Sequence, residues 1–172
     1  MVDLIPEFSR IVRLDRLGSE PFQQRIEATQ EERSKLSERF DLLSLDRLTA
    51  VVDLCRQSGG VIRLEASFEA VFVQSCVYTL EPVPGTISDS FSLVLGSAEE
   101  EPGEIALGGD EAVFEPLAGD AIDIGEAVAQ ELSLALPDFP RHPDASLDTD
   151  LFEVSGEGSF ALSTRLRRPG DS

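Results

Sequence analysis

Alternation of apolar and polar residues is the strongest local signal in the chain, and it is cleanest over residues 62–75. There Ile62, Leu64, Ala66, Phe68, Ala70 and Phe72 fall on one face, while Arg63, Glu65, Ser67 and Glu69 fall on the other. This is the period-two pattern of an antiparallel strand with one buried and one wet face. Residues 45–54 alternate likewise, with Leu48, Ala50, Val52 and Leu54 in phase. Between these runs, Ser58-Gly59-Gly60 supplies the positive φ that a tight connection needs. A third run has Ile87, Phe91, Leu93 and Leu95 in phase, after a turn expected around Glu81-Pro82-Val83-Pro84-Gly85. Together the three runs predict a meander. Residues 9–17 (SRIVRLDRL) also alternate and predict a first strand whose basic face carries Arg10, Arg13 and Arg16, broken by Gly18-Ser19.

Two segments carry helical signals. Thr29 and Glu32 have capping-box spacing, in which each side chain reaches the other's unpaired N–H. The helix predicted after them, over residues 30–40, is mostly polar, with Leu36 and Phe40 as an i,i+4 apolar pair. Asp123 and Glu126 repeat the capping-box spacing, with Ile122 and Ala127 placed as a hydrophobic staple. Ile124, Val128, Leu132 and Ala135 then recur at helical spacing, Ala127 and Leu134 widen the stripe, and Pro137 ends the helix. This second helix is expected to pack on the sheet.

Residues 96–120 break the pattern with Glu99-Glu100-Glu101-Pro102 and Gly108-Gly109-Asp110-Glu111. The short apolar pieces at residues 105–107 and 113–114 are candidate edge strands there. Beyond residue 137 the chain becomes rich in Pro and Asp, as in a linker, and it closes on SFALSTRLRR. The expected organisation is one α+β domain over residues 1–140, followed by a linker and a short basic amphipathic segment over 141–172. The sheet is expected to be antiparallel and curved or barrel-like. No internal repeat is visible.

Charge sharpens this picture. The 172 residues carry a net charge of −19. Residues 61–140 account for nearly all of it, with sixteen Asp or Glu and a single cation, Arg63. A body this negative repels phosphate backbones and attracts basic partners. Its acidic loop residues Glu99, Glu100, Glu101, Glu104, Asp110 and Glu111 are the candidate contacts to a basic protein. Against that field, Arg10, Arg13 and Arg16, with Arg165, Arg167 and Arg168 in the tail, are the candidates for touching RNA. No apolar run approaches the ~18 residues of a membrane span, and residues 1–14 lack the apolar core of a signal sequence. A cytoplasmic location is expected.

Covalent chemistry finds little support. His142 is the one histidine and sits in the Pro-flanked linker, a poor place to hold a base near a nucleophile. Cys55 and Cys76, expected on strands, read as small apolar packers, and two Cys with one distant His do not make a closed zinc site. The carboxylates crowd a Gly/Pro-rich stretch without the cations that phosphoryl transfer needs, and Asp148-Thr149-Asp150 lies in the tail. No metal or cofactor is expected.

Two blocks, FVQSCVYTLEPVPGTISDSFSLVL and GDAIDIGEAVAQELSLALPDFPRHP, resemble the YceD family, whose members are called large ribosomal RNA subunit accumulation proteins. LSERFDLLSLDRLTAVVDL and GSFALSTRLRR are similar to the family's N-terminal region and closing segment. The motif positions are Cys76, Leu80, Pro82, Asp123 and His142. The resemblance implies a role in bacterial ribosome biogenesis, in the accumulation or processing of large-subunit (23S) ribosomal RNA, and no catalytic activity comes with it. Many members carry Cys-x-x-Cys where this chain has Cys76 and Thr79, so a metal site built on that pair is not expected, and His142 is left a packing or hydrogen-bonding role. The expectation is a non-enzymatic factor that binds a basic ribosomal protein or assembly factor. A direct RNA-binding module and a metal-dependent RNA-processing enzyme are the alternatives.

Overall fold

The computed structural model describes residues 6–96, 113–117 and 119–145. After β1 (Ile11–Arg13) and a 3-10 turn at Leu14–Arg16 come β2 (Phe22–Glu27) and α1 (Gln30–Arg39). The long strands β3 (Ser44–Arg56), β4 (Ile62–Ser75) and β5 (Pro82–Gly96) follow, and then β6 (Val113–Pro116), β7 (Ala121–Asp123) and α2 (Ile124–Ala135). Strands β2 to β6 form one sheet in sequence order, while β1 and β7 form a separate antiparallel pair. The fold is α+β.

The meander forms as expected, with β3, β4 and β5 in antiparallel register. The whole in-phase set of β4, from Ile62 to Phe72, is at most 5% exposed. In β3 the inward positions are Leu45, Leu48, Ala50, Val52 and Leu54. The register shift between Leu45 and Arg47 lets Leu45 and Leu48, of opposite parity, share one face. Gly59 and Gly60, at φ 85° and 80°, make the β3–β4 connection.

Several expectations are corrected. The sheet is not closed into a barrel. Its ends are β2 and β6, and β6 pairs parallel to β5, so the sheet is mixed. Its apolar face is instead covered by other elements: Leu36 of α1, Val12 of β1, and Ile124, Val128 and Leu132 of α2 all join the same buried cluster. Alternation cannot distinguish these arrangements, since a closed barrel and an open sheet under helices bury the same phase. The expected first strand shrinks to three residues, because the 3-10 turn bends the chain where alternation suggested continuation. Within the strand Val12 takes the inward position, and Ile11 points outward at 62% exposure. Strand β2 was not anticipated, although Phe22 and Ile26 alternate with polar residues along it.

The Pro-rich stretch expected to turn is also strand. β5 begins at Pro82, with Pro82 and Pro84 opposite Ser75 and Val73. β6 covers β5 only over Leu93–Gly96, so the prolines lie on an edge where no N–H is required. The turn itself falls earlier, after Cys76. Gly85 lies opposite Phe72, and a Cβ there would come within 2.6 Å of the ring.

Both helix starts occur at the expected residues. At α1, Thr29 Oγ1 accepts from Glu32 N at 3.3 Å and Glu32 Oε2 accepts from Thr29 N at 2.8 Å, a complete capping box. At α2 only half of the motif forms. Asp123 caps Gly125 N and Glu126 N, both at 3.1 Å, but Glu126 turns away to Arg39. The stripe of α2 runs through Ile124, Val128, Ala129 and Leu132, and Leu134 faces solvent. Among the described residues, no helix is long and apolar enough to cross a membrane.

Candidate functional site

The N-terminal segment is tied to the start of α2 by one carboxylate. Asp123 Oδ2 accepts from Ser9 Oγ at 2.6 Å, and Oδ1 accepts from Arg10 N at 2.8 Å in addition to the two helix N–H groups. The β1–β7 pairing and Ile124 N donating to Arg10 O at 3.0 Å extend this junction. Gly125 is buried against it, and a Cβ there would lie 2.7 Å from Phe8 O and 2.9 Å from Arg10 N. Asp123 thus works as a structural clasp.

The N-terminal arginines are mostly engaged. Arg10 donates from both Nη atoms to Glu32, at 2.7 and 3.0 Å, and to the carbonyls of Ser9 and Glu27. That uses four of the five guanidinium N–H bonds. The pairing with Glu32 raises the Arg10 pKa, although burial opposes it, and lowers that of Glu32. Arg13 bonds Asp15 and Asp120 at the surface. Arg16, at the end of the 3-10 turn, is exposed. No single basic face results: residues 10, 13 and 16 alternate in parity, so even a continuous strand would point Arg13 away from the other two, and the 3-10 turn at Leu14–Arg16 separates them further. Arg39 joins α1 to α2 and to the N-terminal segment, donating to Glu126 at 2.9 and 3.0 Å and to Glu7 at 2.9 Å. Apart from Arg13–Asp15, two positions apart, these ion pairs left no local sequence signal, since their partners lie 22 to 107 positions away.

A second set of residues gathers at the β4–β5 turn. Cys76 does not lie on a strand; it follows the end of β4 and opens the turn, fully buried. Leu80 N donates to Cys76 O at 2.9 Å, and Cys76 N donates to Glu81 O at 2.8 Å. The segment after α2 folds over this turn: Val77 N donates to Pro140 O at 2.9 Å and His142 N to Cys76 Sγ at 3.3 Å. Burial resists ionisation of the thiol. The Thr79 hydroxyl outweighs it together with the backbone N–H groups of His142, Thr79 and Tyr78, and the pKa falls to about 7. His142 thus serves the sulfur through its main chain, while Thr79 Oγ1 accepts from Glu81 N at 3.4 Å. The Arg141 guanidinium stacks 5.0 Å from the Tyr78 ring centre. Leu80 has φ 60° and is 77% exposed. Pro82 begins the following strand.

The acidic side chains are only partly located. Glu99, Glu100, Glu101, Glu104, Asp110 and Glu111, like Arg165, Arg167 and Arg168, lie outside the described residues. Within them, Glu131 of α2 has its pKa raised, first by burial and then by the carboxylates of Glu115 and Asp89. Three elements thus bring like charges together where the sequence showed separate acids. Among the described residues, no group of three or more His, Cys, Asp or Glu side chains is arranged to hold a metal ion.

Comparison with known proteins places this geometry in a family context. The family model described as "Large ribosomal RNA subunit accumulation protein YceD" matches residues 64–159, more than half of the chain. The match begins within β4, includes the Cys76 turn and α2, and leaves out β1 to β3, α1 and the closing residues from Phe160 onward. No curated protein and no solved structure matches the chain.

Proposed function

The chain belongs to the YceD family, and from that membership we propose that it is a non-enzymatic ribosome-biogenesis factor. It supports accumulation or processing of large-subunit ribosomal RNA by holding a basic ribosomal protein or assembly factor. The family's description supplies the ribosomal RNA context. The observation that carries the docking role is the charge distribution: sixteen acids and one Arg over residues 61–140, most of them within the matched span. Such a field speeds encounter with a cationic partner and weakens with salt. The contacts assigned to this role are Glu99, Glu100, Glu101, Glu104, Asp110 and Glu111.

Direct RNA binding through the N-terminal arginines is less favoured. Arg10 has most of its donors committed to Glu32 and to backbone carbonyls, and Arg13 is shared between two aspartates. A phosphate would have to displace these partners within a strongly negative chain.

Affinity purification at low salt tests the reading. Cationic ribosomal proteins or assembly factors should co-elute, and replacing Glu99, Glu100 and Glu101 together by Gln should lower their recovery and its salt dependence. Recovery of the chain alone, or cleavage of RNA by the pure protein with magnesium, refutes it.

A further inference from the structure

The end of the molecule that carries the Cys76 turn holds a groove of about 450 Å³ between the end of α1, the end of β4 and the segment after α2. Phe40, Val77, Leu136 and Pro137 supply its apolar lining, and Asp41 and Asp138 its carboxylates. Phe139 stands between the lining residues Asp138 and Pro140, Leu134 follows the lining residue Ser133, and Leu80 lies three positions after Val77; they are exposed by 74%, 79% and 77%. An apolar-lined groove flanked along the chain by exposed large apolar residues is the kind of surface that marks a contact site. Leu80 adds a second oddity. A non-Gly residue at positive φ costs about 1 kcal/mol, and Gly or Asn would serve this turn better. Neither core packing nor backbone preference accounts for a leucine there.

The walls are braced before anything binds. Gln74 Nε2 donates to Pro137 O at 3.0 Å, Val77 N to Pro140 O at 2.9 Å, and His142 N to Cys76 Sγ at 3.3 Å. A braced groove loses little freedom on binding. Its charge selects the occupant. The lining cation, Arg39, is held by Glu126 and Glu7, and the neighbouring Arg141 lies over the Tyr78 ring. Asp41 and Asp138 make no ion pair among the described residues.

We propose that this groove receives a short segment of a basic partner protein, with apolar side chains against Phe40, Val77 and Leu136 and Lys or Arg side chains against Asp41 and Asp138. The proposal rests on the docking role above and adds a second, apolar point of attachment to it.

Fluorescence anisotropy with the full chain tests it. The probe is a labelled 12-residue peptide with four leucines at helical spacing and four arginines; control peptides replace the leucines by Ser or the arginines by Glu. The Leu/Arg peptide should bind and both controls should not. Val77→Asn, in the lining and 43% exposed, should keep the thermal midpoint and weaken binding about tenfold, the effect of losing a central apolar contact; Phe139→Asp, between two lining residues, should weaken it in the same direction. Asp138→Lys should weaken it and flatten its salt dependence.

No binding below about 1 mM, a weak affinity by any standard, overturns the groove. So does unchanged affinity in all three variants. If the groove variants bind normally while the Glu99, Glu100 and Glu101 to Gln variant does not, the docking role survives without the groove. If neither set matters, both readings fall. Tighter peptide binding by Phe160→Asp would give the groove to the chain's own closing segment. A dimer in sedimentation that Phe139→Asp dissolves would give it to a second copy. Either result overturns the proposal.

Discussion

Replacing Asp123 by Ala removes four accepted hydrogen bonds at once, those from Ser9 Oγ, Arg10 N, Gly125 N and Glu126 N. Loss of an N-cap costs about 0.5–2 kcal/mol. The Ser9 and Arg10 donors are part-buried, and each left without a partner adds about 1 kcal/mol, the lower end of the range for a stranded donor. The sum is about 2.5–4 kcal/mol, and the thermal midpoint should fall by roughly 10 °C at about 3 °C per kcal/mol for a chain of this size. Asp123→Asn separates the causes. Its side-chain oxygen still caps the helix and accepts from Arg10 N, and its amide can donate to Ser9 Oγ. Only the charge at the helix N-terminus is lost, about 0.3–1 kcal/mol. Thermal unfolding followed by circular dichroism gives both values. Hydrogen exchange at Val12 and Arg13 then reports whether the β1–β7 pair opens ahead of the main sheet. The clasp is refuted if Ala costs less than about 1 kcal/mol, or if Asn costs as much as Ala.

Three further outcomes are expected. Gly125→Ala should destabilise by about 1–3 kcal/mol in urea unfolding despite the better helix propensity of Ala, because its Cβ meets the backbone of Phe8 and Arg10; a gain in stability would place the N-terminal segment elsewhere. Glu131 has a pKa raised above its ordinary value of 4.5, so its favourable contribution is full below that value and is lost as pH rises through the folded pKa. Glu131→Gln should therefore raise the denaturant midpoint at pH 7 and leave it nearly unchanged near pH 4, and a fall at pH 7 refutes this. The Cys76 thiol, lowered from 9.0 to about 7, contributes stability in full above pH 9 and loses it as pH falls through 7. Thiolate absorbance should rise near pH 7 in the wild type and not in Cys76→Ser, and a first rise near pH 9 would remove the donor cradle.

The fold was legible where one residue's environment follows from its near neighbours. Alternation along β3, β4 and β5 marked the buried phase because a strand's side chains point to opposite faces whatever the topology. Thr29 and Asp123 marked helix starts because a cap bonds within three residues of itself. The same local rules misread the Pro82–Pro84 stretch as a turn. Those prolines are tolerated on an edge, and edge position depends on how far β6 reaches along β5.

Of the candidate site, the sequence showed the ingredients and not their assembly. It determined by itself that the chain is strongly negative between residues 61 and 140, that it alternates through three long strands, and that Thr79 stands three residues after Cys76. Tertiary structure alone decided that Arg10 and Arg39 are spent on Glu32, Glu7 and Glu126, that His142 lends its main chain to the Cys76 sulfur, and that the sheet stays open under two helices and the β1–β7 pair. The reason is one of range. Periodicity and capping are set by bond geometry over a few residues, whereas ion pairs, thiol ionisation and sheet closure depend on which distant segments the buried apolar faces bring together.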